Sequence, residues 1–268
     1  MQPQIQVTVV VLCRNNPASL MRTLTSACAQ QPLCDVLVVD GSDDNSCQRI
    51  VQAMKHGGQL LYLDEPAAGP YAAMNRALAA VTTRWVHFLH SGDLFLDPSS
   101  LGSLVSRAEA LRTRDGKDSA AVFGQAWIEA PAPSRWRWLS PDPQVQQVLG
   151  WLRHMVPCHQ AVLFSTAWAQ RHPYDTRNSV CADRPLMRQA LASAGTDAYV
   201  RQPVCRFRLD GLSSQLPDWE ELRCRWREPA RHWDERLGEL GKFLLRPLGR
   251  YYALLMWIRS RGFGWLYR

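Results

Sequence analysis

Along the first hundred residues, apolar positions come in blocks instead of alternating singly with polar ones. Four runs of strand length are almost continuously apolar: Val7 to Leu12, Asp35 to Asp40, Gln59 to Leu63 and Trp85 to His90. Between them lie helix-compatible segments, Ser19 to Gln30 and Asn45 to His56, and a further helix through Tyr71 and Met74 leads into the fourth run. Strands that show no in–out alternation are buried on both faces. The pattern therefore predicts an α/β fold, a parallel sheet covered by helices on both faces. The second half is less regular. It offers a turn-rich aromatic patch from Pro131 to Pro143, a strand at Ala161 to Phe164 and a helix beginning near Pro185, without an internal repeat.

In open α/β sheets ligands bind beyond the carboxyl ends of the strands, where loops vary while the core holds them. Four polar clusters occupy those ends: Cys13-Arg14-Asn15-Asn16, Asp40 to Asp44, Asp64-Glu65-Pro66, and His90-Ser91-Gly92-Asp93. A carboxylate at Asp40 can accept hydrogen bonds from a ribose or a base, with Gly41 permitting close approach. The same residues also suit a polar turn and a helix N-cap. Asp93 follows an apolar strand and can serve as a hard oxygen ligand for Mg²⁺ or Mn²⁺, although aspartate is also common in plain turns. The two carboxylates end different strands of one predicted sheet, which favours a shared site. No GxGxxG follows the first strand, which argues against a dinucleotide or adenosyl-methionine site.

Composition narrows the class further. With 46% hydrophobic and 21% charged residues, the 268-residue chain reads as folded. Its 31 Lys and Arg exceed its 24 Asp and Glu, and no acid follows Glu239, whereas Lys242, Arg246, Arg250, Arg259, Arg261 and Arg268 do. The basicity thus belongs to a tail, and the domain reading is a catalytic unit over residues 1–240 and an amphipathic helical tail over 241–268. Eight cysteines form no CxxC pair and no zinc spacing, and the N-terminus has no signal-peptide pattern, so a reducing, cytoplasmic setting is expected. The apolar run Tyr251 to Ile258 is too short to span a bilayer, for which about 20 residues are needed. On a helix the tail's cations fall along one stripe beside apolar residues, which predicts peripheral contact with the inner face of the cell membrane. A tail helix folded back on the core is the rival, and Pro247 should kink or divide the segment.

The segments "VTVVVLCRNN", "VLVVDGSDDNS", "DEPAAGPYAAMNRALA", "WVHFLHSGDLF", "CHQAVLF", "CADRPLMRQAL" and "FRLDGLS" carry a resemblance. In order and spacing they resemble the bacterial glycosyltransferase family 2 enzymes with the GT-A fold, in the branch that builds exopolysaccharides, colanic-acid-type polymers and O-antigens. The likeness covers roughly residues 5 to 215, and the ordered series is more specific than any single motif. It implies inverting transfer of a sugar from a nucleoside diphosphate sugar, with a UDP-sugar as the expected donor and a saccharide or lipid-linked saccharide as acceptor. Carried over by position, Arg14, Asn15, Asp40, Ser42 and Asp44 would surround the nucleoside, Asn75 would lie near the sugar, and Asp93 would be the last carboxylate of the metal motif. Asp183 would match the catalytic base, and His159, Gln160, Gly211 and Ser213 the acceptor and diphosphate side.

The chain departs from that pattern in places. His90 stands at the first position of the metal motif, where the branch has Asp or Asn, so a metal would rest on Asp93 and phosphate oxygens, as Mg²⁺ tolerates. Ala67, Ala68 and Ala72 replace residues that are charged in this branch, which bears on the donor sugar. Asp183 stands just before Pro185, so it also suits a helix cap, a position that stabilises its anionic form. His159 reads as a positioned hydrogen-bond donor and the Trp136 and Trp138 pair as packing. Two other classes stay open at this point: a nucleotidyltransferase sharing the sheet and metal, and a non-catalytic basic nucleic-acid binder. The carboxylate-rich rim opposes nucleic acid as a partner.

Overall fold

Every residue from Val7 to Cys13 is buried, because this strand has neighbours on both faces of the sheet. In the computed structural model, the described residues are 6–54, 60–65, 68–130, 137–140, 157–177, 182–209, 219, 222–223, 226 and 233–244. The elements run β1 (Val7–Cys13), α1 (Pro17–Cys28), β2 (Cys34–Asp40), α2 (Ser46–Met54), β3 (Leu60–Asp64), α3 (Pro70–Ala80), β4 (Trp85–His90) and β5 (Leu94–Phe95). They continue with α4 (Ser100–Asp115), β6 (Ala121–Glu129), β7 (Arg137–Leu139), β8 (Val162–Ser165), α5 (Thr166–Arg171), α6 (Asp183–Ala194), β9 (Tyr199–Arg208) and α7 (Trp233–Leu244).

Among the described residues one sheet contains all the strands, in the order β3-β2-β1-β4-β8-β6-β9-β5, with β7 added to β6. The first four strands are mutually parallel, as the continuous apolar runs predict. Beyond them the sheet is mixed: β8 runs antiparallel to both β4 and β6, β9 parallel to β6, and β5 antiparallel to β9. An apolar run carries no direction, so the reversal at β8 is invisible in the sequence pattern. The chain steps outward from β1 through β2 to β3 and then returns past β1 to β4. Right-handed crossovers therefore put α1 and α2 on one face and α3 on the other, where it packs with α5.

Local chemistry sets the element ends. Helix α1 starts at Pro17, two residues ahead of the expected Ser19, because the Asn16 side chain accepts Ser19 N–H at 3.1 Å and proline fits the first turn. It stops at Cys28, short of the expected Gln30. The Gln30 amide instead donates to Asp97 O at 2.9 Å and accepts Leu101 N–H at 3.0 Å, tying the end of α1 to the start of α4. The aromatic core of Trp85, Phe88, Phe123 and Phe164 lies on β4, β6 and β8. Gly124 on β6 is fixed by packing, since a Cβ there would meet Val204 Cγ2 on β9 at 2.8 Å.

Helix α7 runs across residue 241, where the sequence reading begins the tail. Residues 245–268 lie outside the described set, as does all of the Pro131–Pro143 patch except 137–140. Within that remnant Trp138 is buried opposite Ile128. Among the described residues no helix is long and apolar enough to cross a membrane.

Candidate active site

Register brings the predicted rim together. Cys13 pairs with Asp40, Asp40 with Asp64, and Leu12 with His90, so the last residues of four parallel strands line one edge of the sheet.

At the β1–β2 end, Asp40 is 1% exposed and its carboxylate is fully directed. Oδ1 accepts the Ser42 N–H at 2.9 Å and Oδ2 accepts the Tyr62 hydroxyl at 2.9 Å. Burial and the neighbouring Asp40 charge push the Tyr62 hydroxyl well above the ordinary tyrosine range, so it stays a donor. Asn15 has φ +50, a left-handed conformation that asparagine tolerates. That geometry lets its N–H reach Ser42 Oγ at 2.8 Å while its amide exchanges hydrogen bonds with Asp43 at 2.6 and 2.9 Å. Arg14 stands 3.6 Å from Asp43 in an exposed ion pair. Asp44 faces outward and accepts the Ser46 N–H at 2.8 Å, a turn contact that leads into α2. Tyr62 was not singled out by sequence; its only signal there is a tyrosine inside an apolar run of strand length.

At the β4 end, a tight turn presents Asp93. Gly92 has φ +114, which disfavours a side chain, and its N–H donates to Thr23 Oγ1 of α1 at 2.9 Å. Ser91 N–H reaches Leu12 O at 2.8 Å and Asp93 N–H reaches His90 O at 2.9 Å. Asp93 is 4% exposed, and its Oδ1 accepts the backbone N–H of Arg208 at 3.2 Å. Three elements therefore aim one carboxylate.

Beside it lies a network of rings. Tyr71, the second residue of α3, donates its hydroxyl to Asp183 Oδ1 at 2.9 Å and stacks on Tyr174 with ring centroids 5.6 Å apart. The Tyr174 hydroxyl pairs with His159 Nε2 at 2.7 Å, and the His159 ring lies 6.5 Å from that of His90. Asn75 holds the backbone of Tyr174 from both sides, its Oδ1 accepting N–H and its Nδ2 donating to C=O, each at 2.9 Å. Both polar ends of its amide are thus engaged by the Tyr174 backbone. Gln160 is buried and accepts from the Cys158 thiol at 3.2 Å.

Asp183 is the first residue of α6, but Ala182 is the cap residue and no side-chain capping bond is made there. The helix-start expectation was an anion stabilised by its position. Burial instead pushes the carboxyl above its ordinary range, opposed by the Tyr71 hydrogen bond, by Arg184 and by His90. His90 is held down to about 4, first by burial and then by His159, against the pull of Asp183. His159 is also held down to about 4 by burial. Both imidazoles are therefore neutral at pH 7. Ala68 and Ala72 flank α3's start; Ala67, Gly211 and Ser213 lie outside the described residues. Tyr174 carried no sequence signal, standing in an ordinary "HPYD" loop.

Residues 8–169, more than half of the chain, match the family described as Glycosyl transferase family 2. The chain belongs to that family. Among its relatives, the uncharacterized glycosyltransferase Rv1514c of Mycobacterium tuberculosis (strain ATCC 25618 / H37Rv) is 25% identical over 272 residues, spanning 96% of this chain and 91% of the relative. Succinoglycan biosynthesis protein ExoU of Rhizobium meliloti is 29% identical over 135 residues, 47% of this chain and 39% of its own length. S. aureus TarS 1-349, solved in complex with UDP-GlcNAc, superposes with a TM-score of 0.60 at 14% identity, covering 90% of this chain and 72% of that one. The fold is therefore that of a GT-A-like transferase, and this family 2 chain is a glycosyltransferase. Family membership sets aside both the nucleotidyltransferase and the non-catalytic binder.

Proposed function

We propose that this glycosyltransferase moves a sugar from a UDP-sugar to a saccharide or lipid-linked saccharide, with inversion, in the building of a cell-surface polysaccharide. The observation that carries the reading is the pairing of two buried carboxylates, Asp40 and Asp93, at the ends of β2 and β4, which flank β1. The UDP-GlcNAc bound by TarS and the succinoglycan role of ExoU support the donor class and the pathway class.

In this reading Asp40, pinned by Ser42 and Tyr62, presents its remaining lone pairs to the base or ribose, with Asn15 and Arg14 around it. Asp183 accepts the proton of the acceptor hydroxyl as that oxygen attacks the anomeric carbon. A carboxyl raised by burial is better matched to that task than an ordinary aspartate. Neutral His159 and Tyr174 hold the wall behind Tyr71 and keep it rigid. Asp93 suits a Mg²⁺ or Mn²⁺ carried on the donor, because a single fixed carboxylate with phosphate oxygens and waters is a common Mg²⁺ arrangement. When bound there, the ion would neutralise the leaving diphosphate.

The cytoplasmic face of the membrane is the proposed working location. The stripe of Trp233, Leu237 and Leu244 on α7, exposed by 73%, 52% and 68%, supports peripheral contact next to the basic tail. Calorimetric titration with UDP, with and without Mn²⁺, tests the donor site. Asp93→Ala should weaken metal-dependent binding by at least about tenfold, equivalent to roughly 1.4 kcal/mol. Equal binding in the variant, with and without the ion, would overturn the assignment.

A further inference from the structure

Two thiols and a carboxylate converge beneath the nucleoside end of the rim. Cys13 ends β1, Asp40 ends β2 as its register partner, and Cys47 is the second residue of α2. One ligand atom from each lies within 4.8 Å of the other two, and the residues are 7%, 1% and 0% exposed. Among the described residues, no other group of three such side chains meets that condition. We propose that Cys13, Cys47 and Asp40 form a site for a thiophilic divalent cation of the zinc and cadmium class, and that an ion held there blocks the nucleoside end of the donor pocket.

Donor chemistry separates this site from Asp93. Thiolate sulfur selects borderline and soft ions, whereas Mg²⁺ and Mn²⁺ prefer all-oxygen sets. With metal–sulfur distances of about 2.3 Å and metal–oxygen distances of about 2.0–2.2 Å, tetrahedral ligand atoms stand roughly 3.5–4 Å apart. A small inward movement of three side chains already within 4.8 Å reaches that spacing.

Charge also balances. Without an ion, burial and the Asp40 charge push the Cys13 thiol upward, which keeps its proton in place. Binding breaks two S–H bonds, forms two sulfur–metal bonds and releases two protons to solvent, with no change of oxidation state. One divalent cation replaces two protons, so the buried cluster's net charge is unchanged. Asp40 already accepts from Ser42 and Tyr62, and a bound ion takes the acceptor capacity that a base or ribose donor would use. The blocking step rests on the proposed donor site, whereas the ion site does not.

The test uses the reduced, metal-free full chain titrated with Cd²⁺, read by thiolate-to-cadmium charge-transfer absorption and equilibrium dialysis. One equivalent should bind, displaceable by Zn²⁺. The absorption should vanish in Cys13→Ser and in Cys47→Ser but persist in Cys158→Ser, which disrupts the separate thiol pair with Cys205. Cys47→Ala supplies a second variant without a buried hydroxyl, and thermal melts report whether each variant is folded. Absorption that survives in the folded Cys13 and Cys47 variants, or depends on Cys158, overturns the site. In a second arm, with Mg²⁺ held constant throughout to serve Asp93, saturating Zn²⁺ should lower UDP affinity by roughly tenfold or more in the native chain and leave Cys13→Ser unaffected. Equal UDP binding with and without Zn²⁺ in the native chain refutes the blocking step. Failure of UDP to bind even without Zn²⁺ counts against the donor reading, and the Cd²⁺ titration then decides the ion site by itself.

Discussion

Asp183 carries the chemistry in the proposed mechanism, and its neighbours make two outcomes measurable. Asp183→Asn keeps the shape of the side chain but cannot accept a proton, so kcat should fall by about 10²–10⁴ while UDP-sugar affinity stays near native. Turnover near native in steady-state assays would remove Asp183 from the base role. Tyr71→Phe tests the hydrogen bond that the hydroxyl donates to that carboxylate. The bond favours the charged form, so its loss leaves burial less opposed and Asp183 must rise further. A base works only when deprotonated. The acidic limb of the pH–rate profile should therefore move to higher pH in Tyr71→Phe, and a limb that stays in place would show that the bond does not tune Asp183.

At the scale of elements, α3 works as a bracket. It packs on the sheet face opposite α1 and α2, and Asn75 reaches from it to grip both backbone groups of Tyr174. Asn75→Ala would leave that N–H and C=O without their partner, at about 1–3 kcal/mol for each group that water cannot reach. Denaturant unfolding should register the loss, and kcat should fall with it, because Tyr174 stacks on Tyr71. A variant with native stability would show that the Tyr174 loop is held by other contacts. The rim ends of β1, β2 and β4 were legible in sequence, since a continuous apolar run that stops at a polar residue marks a strand end. The Tyr71, Tyr174 and His159 network was not, because its partners lie on separate elements and neither periodicity nor motif links them.

For the whole molecule, membrane contact turns on charge and apolar surface together. Lys242 lies on α7, and Arg246 and Arg250 follow it at four-residue spacing. Replacing all three with Gln should weaken partitioning onto anionic vesicles by up to about 10²-fold, from about 1 kcal/mol per cation near such a surface. The triple variant keeps α7 intact, which a cut at Glu239 would not, as the helix continues to Leu244. Equal co-sedimentation of the native and triple-variant chains, at low and high salt, would reject the tail as an electrostatic anchor.

The sequence alone determined the parallel half of the sheet, because strands buried on both faces must be written as unbroken apolar runs, and these bring Asp40 and Asp93 to one edge. It also placed Asp183 at the start of a helix, through a nearby proline and a family resemblance. Tertiary structure decided the direction of β8, the environment of each carboxyl and the company of each thiol. Strand direction depends on where the chain enters the sheet, and a carboxyl's protonation depends on what covers it. Cys13 and Cys47 meet only because β1 and the start of α2 close over the same end of Asp40. Such proximity arises from folding distant segments together, and no local pattern of residues encodes it.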